Sequence, residues 1–228
     1  YRLRIASTFG ASVDNRDGVI LAALRYETRL PRRQREMLFA TWALLEGRVA
    51  AALRLAEALG ARYPDDPEVA YVEGEAYFHV GLSRGESPER TVRPFTRAIA
   101  LDSSFLDPYN HAVEMLMVLG DTATAWRLAR RALVQAPTSA VHLSVMLALR
   151  ALRGEDPATM PSSEPLTYAR TSRAGTEVVR MMPADPARAL ELDERFQLRT
   201  ITPASSRSDR RQAAVGVATI RGAQGRLR

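Results

Sequence analysis

The chain has 228 residues, enough for one large domain or two small ones, and 46% of them are hydrophobic while 25% are charged. This profile excludes a disordered chain and indicates a folded one. The absence of cysteine excludes disulfide bonds and thiolate metal sites. The net charge of +6 rests on arginine, since there is no lysine, and a genome rich in G and C explains this bias without any nucleic-acid role.

The hydropathy of the chain argues against a membrane span. The longest uncharged apolar run, at 140–149, is far shorter than the roughly 20 residues that a spanning helix needs. We therefore expect no membrane contact within the chain and a cytoplasmic location. The sequence begins at Tyr1, without methionine and already in a helical pattern, so we expect it to be a piece of a longer protein.

In chain order, alanine- and leucine-rich segments alternate with glycine turns and polar corners, a composition that favours helices over strands. Gly47 precedes Pro64 by 17 residues, and Gly120 precedes Pro137 by the same 17. The recurrence predicts helix–turn–helix blocks, of which the first and third are 34 residues long and the second carries a five-residue insert. The predicted blocks are 33–66, 67–105 and 106–139, with 140–154 as the first helix of a fourth.

The two ends of the chain follow this pattern less regularly. Residues 1–32 predict an incomplete pair, with helices around 1–11 and 15–29. A proline-rich connector follows Gly154. We therefore predict a first domain at 1–154 and degenerate helical repeats at 155–228, which stop halfway through a repeat.

A period of 34 with a helix–turn–helix unit is typical of tetratricopeptide repeats. The sequence therefore predicts an all-α fold of the α-α superhelix class, a right-handed solenoid of antiparallel helix pairs. Helices that pack at 8–10 Å need small side chains where they cross. Gly74, Ala52 and Ala125 stand at the predicted crossings. The alternative is a non-repetitive helical bundle, in which the recurrence of these spacings would be a coincidence.

Longer runs carry a more specific resemblance. The segments "RLPRRQREMLFATWALLEGR", "ARYPDDPEVAYVEGEAYFHVG" and "RPFTRAIALDSSFLDPYNHAVEML" resemble the tetratricopeptide tails of large bacterial serine/threonine protein kinases. Similar tails occur on adenylate-cyclase-type and transcriptional regulators. The resemblance implies the regulatory tail of a bacterial signalling protein. The sequence itself has no glycine-rich phosphate loop, His-Arg-Asp or Asp-Phe-Gly motif, so we expect no catalysis and no cofactor in this segment.

The three histidines, His79, His111 and His142, are separated by nearly one repeat length. In the alignment of the blocks, however, they fall on different positions, so they need not line one face. None has a second histidine three or four residues away, as a zinc-binding helix does. We therefore expect no metal site.

The first helices of tetratricopeptide pairs line a concave surface that binds partners. On the two middle repeats, the positions predicted to face outward include four acids and no arginine, with Tyr71 as an aromatic anchor. This pattern predicts an acidic groove for a basic or amino-terminal peptide. The predicted outward-facing residues are Gln34, Met37, Thr41, Glu68, Tyr71, Glu75, His79, Asp107, Asn110 and Glu114.

Other interpretations stay open. The acids could serve only to keep the inner surface soluble. The tail 199–228 holds seven arginines against Asp209 and could bind nucleic acid, but it lacks interleaved aromatic residues for base stacking. The segment could also act as a spacer or as a homodimerisation arm without an external ligand. We favour a protein or peptide partner over nucleic acid.

Overall fold

The computed structural model describes residues 22–81, 84–157, 168–199, 201 and 206–225. Within these ranges every regular element is helical and none is a strand, so the predicted all-α fold is confirmed. No helix among the described residues is both long and apolar enough to cross a bilayer. The predicted helix at 1–11, the start of the one at 15–29 and most of the connector lie outside the described residues.

The described helices are short, and turns of a few residues join several of them, as in antiparallel helix hairpins. A 3-10 turn, Glu27–Arg29, precedes the first, and a π-helical turn, Tyr77–Gly81, continues the third. The helices are α1 Arg32–Leu45, α2 Val49–Arg62, α3 Pro67–Ala76, α4 Pro88–Leu101, α5 Pro108–Val118, α6 Thr122–Gln135, α7 Ala140–Leu152, α8 Tyr168–Met181, α9 Pro186–Arg199 and α10 Arg207–Ala223.

The chain divides into two compact units, Tyr1–His111 and Ala112–Arg228. The division falls within α5, so the first unit contains α1 to α4 and the first turn of α5. The domain boundary that the sequence predicts at 154 and 155 stays a prediction.

Glycine in the left-handed region ends α1, α5 and α7. Gly47 has a φ of +66°, Gly120 of +79° and Gly154 of +96°. Residues with a Cβ adopt this conformation at a cost, which explains why glycine recurs at these turns. The turn after α10, at Gly225, has the same conformation, with a φ of +67°.

In the first unit, α1 packs on α2, α2 on α3 and α3 on α4. The small residues that the sequence places at crossings are buried there. Ala52 is fully buried beside Ala43, Leu44 and Val80. Gly74 lies against the ring of Phe95 on α4, where a Cβ would come within 2.6 Å of Phe95 Cε1. Glycine at this position therefore allows the close approach of α3 and α4.

In the second unit, α6 packs on α7, and contacts continue from α7 to α8, α8 to α9 and α9 to α10. The core of this unit contains both small and large apolar side chains. Its fully buried residues include Ala125, Ala132, Ala148, Leu149, Ala174, Val178, Ala189, Phe196 and Ala213.

Candidate functional site

A row of polar side chains follows one face of α3 and of the π-helical turn after it. Glu68, Tyr71, Glu75 and His79 are spaced by three or four residues, which places them above one another on a helix. The ends of the row reach solvent, since Glu68 is half-buried and His79 is exposed. The middle does not, since Tyr71 is 5% exposed and Glu75 only 1%.

The start of α3 is held by a capped and charge-paired turn. The Asp66 carboxylate accepts hydrogen bonds from the backbone amides of Glu68 and Val69, both at 3.0 Å. Arg33 on α1 donates to Asp66 and, at 2.7 Å, to Glu68. Burial alone would raise the pKa of Asp66, but the hydrogen bonds from Arg33 and the amides hold it below its ordinary value. The row is therefore fixed to α1 at its first residue.

Tyr71 is a core residue and not the exposed anchor that the sequence predicts. Its ring packs edge-on against Phe105, with centroids 5.4 Å apart, and against Phe95 at 6.1 Å. Burial first, and then the negative charges of Glu75 and Asp107, raise the pKa of Tyr71 well above its ordinary value. The aromatic ring is thus buried, while the phenol group lies near two carboxylates.

Two imidazoles flank the buried carboxylate of Glu75. His79 Nε2 lies 3.3 Å from Glu75 Oε2, and His111 Nε2, from the first turn of α5, lies 3.5 Å from Glu75 Oε1. The two imidazole rings are 5.8 Å apart and nearly perpendicular. Both carboxylate oxygens of Glu75 are buried, and the Tyr71 hydroxyl interacts with this carboxylate, although neither oxygen has a hydrogen bond of strict geometry. We call Glu75, His79 and His111 the Glu75 cluster.

The block alignment gives His79 and His111 different positions, yet the structure brings their rings within 5.8 Å of each other. A π-helical turn carries more residues per turn than an α-helix, which changes the direction of His79 relative to a regular helix. The block alignment contains neither this turn nor the packing of the first turn of α5. The glutamate four residues before His79 was the available signal, and a search for paired histidines alone overlooks it.

The predicted outward orientation is wrong for half of the candidate residues. A side chain on a first helix is buried wherever a neighbouring element covers it, which the spacing of one helix cannot show. Gln34, Glu68 and Asn110 are half-buried, whereas His79 and Asp107 are exposed. The buried residues are Met37, Thr41, Tyr71, Glu75 and Glu114, all at 5% exposure or less.

Glu114 belongs to a different environment, in the second unit. It is completely buried, and its Oε2 lies 3.8 Å from Arg180 Nη1. The neighbouring Glu177 has its pKa raised to about 10 by burial first and then by the negative charge of Glu114. Glu114 is therefore one member of a buried carboxyl pair and does not face a ligand in solvent.

Solved structures show which fold these helices form. Over 88% of this chain and 97% of the other, the structure matches TTC0263, a thermophilic TPR protein of Thermus thermophilus, with 18% sequence identity and a TM-score of 0.55. The fold is tetratricopeptide-like. The crystal structure of MamA protein also matches, over 86% of this chain and 96% of that one, with 13% identity and a TM-score of 0.48. No protein-family model and no curated protein sequence matches the chain.

Polar residues of α3, of the turn after it and of 107–111 lie near one another within the first unit. We call this group of exposed, half-buried and buried residues the α3–α5 face, and it consists of Glu68, Tyr71, Glu75, His79, Asp107, Asn110 and His111.

Proposed function

We propose that the chain is a non-catalytic protein–protein interaction module and that its α3–α5 face binds a basic peptide segment. The fold supports the first part, because stacked helix pairs present extended surfaces that serve as docking sites. The polar character of the α3–α5 face supports the second part.

The observation that carries the proposal is the negative charge at the exposed end of this face, where Asp107 lies. After burial and the charge of Glu75, the charge of Asp107 contributes to the raised pKa of Tyr71. Asp107 therefore places a carboxylate on the solvent side of the α3–α5 face. An arginine or lysine side chain, or an amino terminus, forms charge-assisted hydrogen bonds with such acceptors.

Asp107 is the residue through which we expect the peptide to be recognised first. Glu68 carries the same charge but is half-buried, whereas Asp107 is exposed. The contribution of Asp107 should exceed that of Glu68 for this reason.

A peptide array followed by calorimetry on the best binder tests this proposal. We expect basic peptides to be selected, and we expect Asp107→Arg to weaken their binding at least tenfold. Asp65→Arg makes the same charge reversal at an exposed residue outside the α3–α5 face and should leave the affinity unchanged. Selection of acidic peptides, or equal losses in the two variants, would contradict the proposal.

Nucleic-acid binding is an alternative outcome with its own signature. Retention of random duplex DNA that falls steeply as the salt concentration rises would replace the peptide proposal with nucleic-acid binding by the arginine-rich tail at 199–228. Size-exclusion chromatography at several protein concentrations tests whether the segment is instead a homodimerisation arm, because self-association depends on protein concentration whereas peptide or nucleic-acid binding does not require it.

We also propose that the module is the regulatory tail of a bacterial signalling protein such as a serine/threonine kinase. The resemblance of the three quoted segments supports this context. The coding sequence on either side of the segment tests it: an upstream kinase or cyclase domain would agree, and an unrelated enzyme domain would not.

A further inference from the structure

We propose that Glu75, His79 and His111 form a binding site for one divalent transition-metal ion of the zinc class. The cluster offers one carboxylate oxygen and two imidazole nitrogens, all of which lie within 4.8 Å of one another. Imidazole and carboxylate ligands are the donors that zinc takes together in sites with three protein ligands. The three ligands belong to the α3–α5 face, but ion binding is measured without any peptide, so the two proposals can fail independently of each other.

The spacing of the ligand atoms fits a tetrahedral ion. With metal–ligand bonds of about 2.1 Å, the corners of a tetrahedron are roughly 3.4 Å apart. Glu75 Oε2 lies 3.3 Å from His79 Nε2, and Glu75 Oε1 lies 3.5 Å from His111 Nε2. The two histidines approach different oxygens of the carboxylate, so with one carboxylate oxygen as ligand one edge of the site already has the required length. The other ligand atoms lie within 4.8 Å of one another, and a rotation of the exposed His79 ring can bring them to the tetrahedral spacing.

The burial of Glu75 supplies the second argument. Its carboxylate is 1% exposed, it interacts with the Tyr71 hydroxyl, and neither oxygen has a hydrogen bond of strict geometry. A buried carboxylate with so little replacement for its lost water is costly. Other carboxylates of this unit, such as Asp66 and Glu73, have arginine partners instead. A bound cation would give Glu75 the positive partner that arginine provides for the others.

The surroundings of His111 would orient it as a ligand. Its ring stacks on Phe78, with centroids 4.0 Å apart and an interplanar angle of 30°. Its Nδ1 lies 3.4 Å from the Asn110 side-chain amide. When Nε2 binds a metal, Nδ1 carries the proton and needs an acceptor, which the Asn110 carboxamide offers through its oxygen after turning over. Asn110 is therefore the group that we expect to orient His111.

The exposed side of the site leaves room for a further ligand. Glu75 and His111 are buried, whereas 35% of the His79 side chain is exposed. An ion held by these three residues would have its fourth position on the solvent side, where water binds. The ion can also enter from that side without opening the core.

Zinc titration with detection of the imidazole resonances tests the site. The chain has three histidines, so nuclear magnetic resonance can follow all of them at once. We expect one equivalent of zinc to shift the signals of His79 and His111 and to leave His142 unchanged. Cobalt(II) in the same site should show the intense visible absorption of a four-coordinate ion.

Variants distinguish this site from adventitious binding. We expect His79→Ala and Glu75→Gln each to weaken zinc binding by a factor of at least ten in calorimetry. His142→Gln is the matched control, because it removes a histidine from the second unit, and it should leave the affinity unchanged. His79 is exposed, so its replacement keeps the experiment decisive if Glu75→Gln fails to fold. Equal affinity of His79→Ala and the unsubstituted chain, or no stoichiometric binding, would overturn the proposal.

Discussion

The Cα of Gly74 on α3 lies so close to the Phe95 ring on α4 that an added Cβ would come within 2.6 Å of Phe95 Cε1 and 2.7 Å of Cδ1. Phe95 is fully buried and therefore has little freedom to move away. This contact explains a glycine in the middle of a helix, where glycine costs about 1 kcal/mol relative to alanine.

We predict that Gly74→Ala destabilises the protein. The gain in helix propensity is about 1 kcal/mol, but overpacking against a ring costs about 1–3 kcal/mol, and this contact is closer than Cβ atoms normally make. We expect a net loss of up to about 2 kcal/mol in the free energy of unfolding, measured by urea denaturation. Adding Phe95→Leu should make the pair less than additive, because the smaller side chain leaves room. A stabilised Gly74→Ala protein would contradict the assignment of a tight crossing.

Ala125 provides the same test in the second unit. It is fully buried on α6, so Ala125→Leu adds three carbon atoms to a filled crossing. We expect a loss of about 1–3 kcal/mol in unfolding free energy. Val134→Leu is the control, since Val134 lies on the same helix at 82% exposure and should tolerate the larger side chain. Equal unfolding curves for Ala125→Leu and the control would show that the crossing has free space.

At the turn glycines, we expect the cost of a substitution to come from the backbone conformation alone and not from steric contact. Gly120 has a φ of +79°, and a Cβ placed there meets no atom within 4 Å. We expect Gly120→Ala to cost roughly 1–2 kcal/mol and Gly120→Asn to cost less, because asparagine adopts the left-handed region more readily. Thermal unfolding followed by circular dichroism measures both. If asparagine costs as much as alanine, the backbone at this turn is not what limits substitution.

The buried pair of Glu114 and Glu177 predicts a pH dependence of stability. Burial and the charge of Glu114 raise the pKa of Glu177 to about 10, while Arg180 and Arg173 act in the opposite direction. Between about pH 4.5 and 10 the folded chain holds a proton that the unfolded chain releases. The unfolding free energy therefore falls as pH rises through this range.

Glu177→Gln removes this titration and keeps a hydrogen-bond donor beside Glu114. We expect the variant to exceed the unsubstituted chain by about 1–3 kcal/mol in unfolding free energy at pH 8, with a smaller difference at pH 5. Glu191→Gln is the control, because Arg188 and Arg195 lower the pKa of that exposed carboxyl. Parallel stability curves for Glu177→Gln and the unsubstituted chain between pH 5 and 8 would exclude a buried protonated Glu177.

The sequence by itself determined the helical class and the places where helices turn. Alanine-rich segments, left-handed glycines such as Gly47 and Gly120, and the small residues at crossings act through local backbone preference and side-chain volume, which are properties of each residue type. The tetratricopeptide-like fold followed from their period, because a period fixes which helices become neighbours.

Only the tertiary structure decided which polar residues face solvent and which meet one another. Tyr71 and Glu75 share the helical spacing of exposed residues, yet neighbouring helices cover them. His79 and His111 come together because a π-helical turn redirects one and the first turn of α5 positions the other. Burial and contacts of this kind depend on packing between segments that are distant in the sequence. The periodicity of a single helix contains no information about that packing.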